Sequence, residues 1–117
     1  MKTLDRLFGC LIILGGVGHG VGSFQAYKSD PMSLLWALSA SYAGFLLGAL
    51  NLLRAARDTD RAVAWICFAG CLVWTGFVLR FGMLLGNFGD FRVVVNLIIT
   101  LGLAAFSLRG ALRQRAR

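Results

Sequence analysis

The sequence predicts an all-α integral membrane protein, a four-helix up-down bundle with the N-terminus and C-terminus both cytoplasmic. Three observations carry that expectation. Four segments, 7–24, 32–53, 62–79 and 93–108, contain no Asp, Glu, Lys or Arg, and each is close to the roughly 20 mainly apolar residues that cross a hydrocarbon core about 30 Å thick. The residues between them are too few to fold alone. The cations cluster at alternate segment ends. Lys2 and Arg6, then Arg54, Arg57 and Arg61, then Arg109, Arg113, Arg115 and Arg117 mark one side, whereas the first connection has only Lys28 with Asp30 and the third has Arg92 with Asp90. The positive-inside rule places the richer side in the cytoplasm and requires an even number of crossings.

The elements follow in order as one transmembrane domain over 1–117, with helices at about 4–26, 31–54, 61–86 and 90–110. Lys2 and Arg6 ahead of an apolar run also fit a signal peptide, with Val21-Gly22-Ser23 as a cleavage site. The run is longer than a signal core, however, and cleavage would leave a basic tail on the far side, so the first segment is expected to be retained. Asp30 before Pro31 supplies a capping carboxylate and a first-turn proline for the second helix. The third begins after Arg57-Asp58-Thr59-Asp60, whose carboxylates suit a helix N-terminus. Gly86-Asn87-Phe88-Gly89-Asp90 reads as a tight turn in which Asn and Gly supply positive φ.

Composition narrows the function classes. The chain is 58% hydrophobic and 15% charged, with a net charge of +7 from 12 Lys and Arg. Because those cations sit almost wholly at segment ends, they address topology and anionic lipids, and no basic surface interleaved with aromatics offers itself to nucleic acid. Fifteen glycines form GxxxG pairs at Gly16/Gly20, Gly18/Gly22, Gly44/Gly48 and Gly82/Gly86, which allow close helix packing within one bundle or between protomers of a homo-oligomer or larger membrane complex.

Three polar residues within the spans form the candidate ligand-binding site. His19 is surrounded by glycines in Gly15-Gly16-Val17-Gly18-His19-Gly20-Val21-Gly22, and Arg80 has apolar neighbours on both sides. At 1.5 Å per residue they stand ~22 Å and ~25 Å above the cytoplasmic boundary, and Asn96 on the descending fourth helix reaches a similar level. Turned inward, His19, Arg80 and Asn96 would line an outward-facing pocket for an anionic small molecule or lipid, with Ser23, Gln25 and Tyr27 near its mouth. The plain alternative has Arg80 snorkelling to headgroups or paired with Asp30 or Asp90, and His19 and Asn96 bonded to neighbouring helices. The cytoplasmic half reads as anchor and packing.

Other chemistries find little support. The chain has no Glu, and its five Asp residues lie near segment ends or in connections, so the proton-coupled carboxylate of an ion-driven transporter is missing. Small multidrug resistance transporters have this length and helix number, but their first-helix glutamate has no counterpart. A single histidine does not supply two haem axial ligands, and Cys10, Cys67 and Cys71 read as reduced core thiols rather than a disulfide framework or Cu(I) site. No catalytic residue, metal ligand or cofactor is assigned. Arg6-Leu7-Phe8-Gly9 followed by Gly15-Gly16 resembles the first helix of DoxX-like bacterial membrane proteins, over that helix alone. The sequence thus points to a binding, transport or accessory component of a bacterial inner membrane, with a structural subunit and a lipid-modifying enzyme as the other classes.

Overall fold

In the computed structural model, which describes residues 2–113, the four apolar segments form four helices: α1 (Lys2–Ala26), α2 (Pro31–Ala56), α3 (Arg61–Leu85) and α4 (Phe91–Arg113). All four are long and apolar enough to cross a membrane, so the chain is a multi-pass membrane protein. Arg115 and Arg117 lie outside the described residues.

Local chemistry sets the boundaries. Asp30 caps α2, its side chain accepting from the Ser33 amide with Pro31 in the first turn, and Asp60 caps α3 by accepting from Val63. Each carboxylate satisfies an N–H that has no partner within the helix. The third helix ends at Gly86, which adopts φ 65° and donates to the Gly82 and Met83 carbonyls, a left-handed conformation that glycine enters without steric cost. Asn87 does not share it: no non-glycine residue described has positive φ. Its side chain instead accepts from the Gly89 amide.

The helices run up and down, α1 packing most closely on α2 and α3 on α4, with α1 and α3 at opposite corners. Lys2 reaches Asp58 in the α2–α3 connection at 3.2 Å, so the start of α1, the α2–α3 connection and the end of α4 share one end of the bundle, here the terminal end. The α1–α2 and α3–α4 connections form the hairpin end. The bundle measures 56 × 24 × 21 Å, longer than the ~40–45 Å of a bilayer with its headgroups.

Glycines set the α1–α2 distance. A Cβ on Gly48 would stand 2.8 Å from the Gly9 carbonyl oxygen and one on Gly16 2.9 Å from that of Ser41, contacts that leave no room for a side chain. The glycines at 15, 18 and 22 meet open space, so within the chain only part of the glycine-rich run is explained by packing. That run neither breaks nor bends out of helix.

Burial differs from that of a water-soluble bundle. Trp36, Tyr42, Phe77, Leu84 and Phe91 are exposed, whereas Asp5, Asn51, Arg54, Thr75, Thr100 and Ser107 are buried around a small apolar core of Ile12, Leu47, Ile99 and Leu103. In hydrocarbon the apolar side chains have no reason to turn inward, and polar groups find their partners between helices.

Candidate functional site

The polar interior begins at the terminal end. Asp5 lies one turn into α1 and Arg54 within the last turn of α2. Their side chains meet as a bidentate pair, Arg54 Nη1 donating to Asp5 Oδ2 at 3.0 Å and Nη2 to Oδ1. The guanidinium fork matches the two carboxylate oxygens in this arrangement. Both side chains are largely removed from solvent, 6% of Arg54 and 11% of Asp5 remaining exposed. A charge at this depth is tolerated because its partner is there: loss of one member of such a pair costs about 3–5 kcal/mol.

Asn51, one turn before Arg54, connects the pair to the other helices. Its carbonyl oxygen accepts from Arg54 Nη2 at 3.4 Å and from Ser107 Oγ of α4 at 3.3 Å, while its amide donates to Leu47 O at 2.9 Å and Cys71 Sγ of α3 at 3.5 Å. One amide therefore touches polar groups of α3 and α4, and through Arg54 reaches α1. Nearer the hairpin end, the Thr75 and Thr100 hydroxyls lie 3.1 Å apart across α3 and α4, within reach of Cys71 O and Asn96 O of their own helices, so that one hydroxyl donates across the pair while the other donates to its own helix. Arg54, counted in the sequence among the topology and headgroup cations, turns inward onto Asp5 instead of outward.

A cavity of about 190 Å³ opens beside this cluster, lined by Lys2, Asp5, Arg54, Arg57, Asp58, Asp60, Arg109 and Arg113, with Ala55, Ala64, Phe106 and Gly110 as its apolar wall. Arg54 Nε is a buried donor without a hydrogen-bond partner among the described residues. Buried polar atoms are ordinarily satisfied, and leaving one unmade costs about 1–3 kcal/mol.

The three residues singled out in sequence are placed apart. His19 and Arg80 are both exposed, on the opposite-corner helices α1 and α3. Asn96 is half-buried, donates to Arg92 O at 2.7 Å and accepts from Trp74 Nε1 at 3.5 Å. No hydrogen bond or ion pair joins the three among the described residues. Asp30 and Asp90 are engaged elsewhere, Asp30 with Ser33 and Asp90 with Arg92 at 3.0 Å. The Ser33 side-chain and backbone hydrogen bonds hold the Asp30 carboxyl below its ordinary value, and those from Arg92 do the same for Asp90. Ser23 is buried but bonds His19 O in its own helix at 2.6 Å, while Gln25 and Tyr27 are exposed.

Asp5, Asn51 and Arg54 carry a sequence signal of their own. Asp5, Gly9, Ile12, Gly16, Gly20 and Ser23 recur at spacings of three and four, as do Gly44, Leu47, Gly48, Asn51 and Arg54. That spacing places each set on one helix face, so the close-packing glycines identify the inward face on which the buried polar residues stand.

Among the described residues no group of three or more His, Cys, Asp and Glu could hold a metal ion. Comparison with models of known families, with curated proteins and with solved structures gives no match to this chain.

Proposed function

We propose that this protein is a ligand-binding component of a bacterial inner membrane that holds an anionic small molecule or lipid at its terminal end, both termini being cytoplasmic. The observation that carries the reading is the buried Asp5–Arg54 pair at the wall of a cavity rimmed by Arg57, Arg109 and Arg113. A bundle held together by packing alone has no need of a charge pair inside it, since an apolar replacement of similar volume is as stable or more so. The orientation rests on the cation count, with Lys2, Arg6, Arg54, Arg57, Arg61, Arg109 and Arg113 toward the terminal end against Lys28, Arg80 and Arg92 toward the other. The outward-facing group of His19, Arg80 and Asn96 is the weaker candidate, because His19 and Arg80 face away from the interior.

A structural-subunit role is the second reading, favoured by the open glycines of α1 at 15, 18 and 22. Native mass spectrometry of the chain released from its own membranes separates the two. A bound anion that is lost in the Arg57→Gln/Arg113→Gln variant supports binding. A bare chain, or one that carries only a protein partner, contradicts it.

A further inference from the structure

We propose that the ligand of the terminal-end cavity is a phosphate monoester, whose doubly charged headgroup is gripped by Arg57 and Arg113 at the rim and by Arg54 from the wall. The inference rests on the binding role proposed above and names the chemistry of its ligand.

The charge balance points to this class. The cavity is lined by five cationic and three acidic side chains, a surplus of two. All three acids are committed: Asp5 to Arg54, Asp58 to Lys2, and Asp60 to the first turn of α3. A phosphate monoester carries about −1.5 to −2 at neutral pH and presents three acceptor oxygens, whereas a phosphodiester or carboxylate brings a single charge. Arg57 and Arg113 form no ion pair among the described residues. Two guanidinium forks at one mouth suit bidentate recognition of phosphate.

The second observation is independent of that balance. Arg54 is 6% exposed and lines the cavity, and its Nε has no hydrogen-bond partner. That donor is closed off from the cavity as the side chain stands, so a phosphate oxygen supplies the missing acceptor only by turning the Arg54 side chain toward it. Ala64 and Phe106, which also line the cavity, offer an apolar surface to the carbon side of the ester. A lipid ending in a phosphate and a soluble phosphorylated metabolite share this chemistry.

The test uses the full chain in phosphatidylcholine nanodiscs doped with either phosphatidate or phosphatidylglycerol, with bound lipid read by native mass spectrometry. The expected result is about tenfold stronger retention of phosphatidate, the scale of one lost charge-assisted hydrogen bond. That preference should fall as the pH drops through about 6, where the monoester takes up its second proton. Arg57→Gln/Arg113→Gln should abolish it while circular dichroism shows an unchanged helix content. Glycerol 3-phosphate in the buffer assigns the source: displacement of phosphatidate means that the free ester enters too, and no displacement means that the membrane ester alone does. Equal retention of the two lipids overturns the phosphate-monoester inference but leaves anion binding standing. Indifference to the double substitution overturns both. Retention of neither lipid nor glycerol 3-phosphate overturns both.

Discussion

Arg54 and Asp5 are joined across α2 and α1 by a bidentate ion pair, Nη1 to Oδ2 at 3.0 Å, buried one turn inside the terminal end of the bundle. Because the charges neutralise each other, Asp5→Leu or Arg54→Met alone should destabilise by about 3–5 kcal/mol, and the double change Asp5→Leu/Arg54→Met should recover most of that loss. Reversible unfolding of the four proteins in mixed micelles measures the cycle. Additive losses would mean that the two side chains do not act as a pair.

Close approach of α1 and α2 depends on Gly48, whose Cβ would meet the Gly9 carbonyl at 2.8 Å and Ile13 N at 3.1 Å. Gly48→Ala should therefore cost about 1–3 kcal/mol through overpacking. Gly18→Ala meets open space and should be neutral or stabilising by up to ~1 kcal/mol through helix propensity. The same unfolding assay checks both. Equal effects at the two sites would refute the packing described for α1.

The sequence and the structure agree on the elements for physical reasons that differ from those governing the site. Uninterrupted apolar runs, Asp30 before Pro31 and Gly86 after α3 act locally, so spans and boundaries are visible in one dimension. Which face turns inward is another matter. Lipid accepts apolar side chains on every outer face, so hydrophobicity does not mark the core of these helices. Asp5 and Arg54 lie within a turn of the helix ends, where charge is ordinary, and this hid them among the topology signals. His19 and Arg80 drew attention by their depth, yet both are exposed on the bundle surface. Only the shared spacing of Asp5 with Gly9 and Gly16, and of Arg54 with Asn51 and Gly48, distinguishes the residues that meet.

Asn51 is 1% exposed and its oxygen accepts from both Arg54 and Ser107. Asn51→Leu takes this acceptor from both donors and should destabilise by about 1–3 kcal/mol, more than Ser107→Ala, which removes a single donor. Comparison of the two unfolding midpoints tests the order. A larger loss for Ser107→Ala would place the hub elsewhere.

The start of α2 should be sensitive to acid. Asp30 is held below its ordinary 3.8 by hydrogen bonds from Ser33. Its contribution to the cap is therefore fully present above that unfolded value and is lost as the pH falls through the lower folded one. The Ser33 amide resonance should titrate with a midpoint below 3.8, and Asp30→Ala should abolish that titration. A midpoint at or above the ordinary value contradicts the cap.

Arg80 forms no ion pair among the described residues and is exposed. Arg80→Leu should leave the folded yield and the anion binding unchanged. A fall in bound anion would move the site to the hairpin end.

Solid-state NMR of the labelled protein in bilayers that contain phosphatidate reads the buried pair and its ligand together, by correlating the Arg54 guanidinium nitrogens with the Asp5 carboxyl carbon and with lipid phosphorus. That arrangement requires a strong Arg54–Asp5 correlation together with phosphorus contacts to Arg54, Arg57 and Arg113. A mobile, water-exchanging Arg54 guanidinium with no Asp5 correlation, or phosphorus contacts spread evenly over all the arginines, would contradict it.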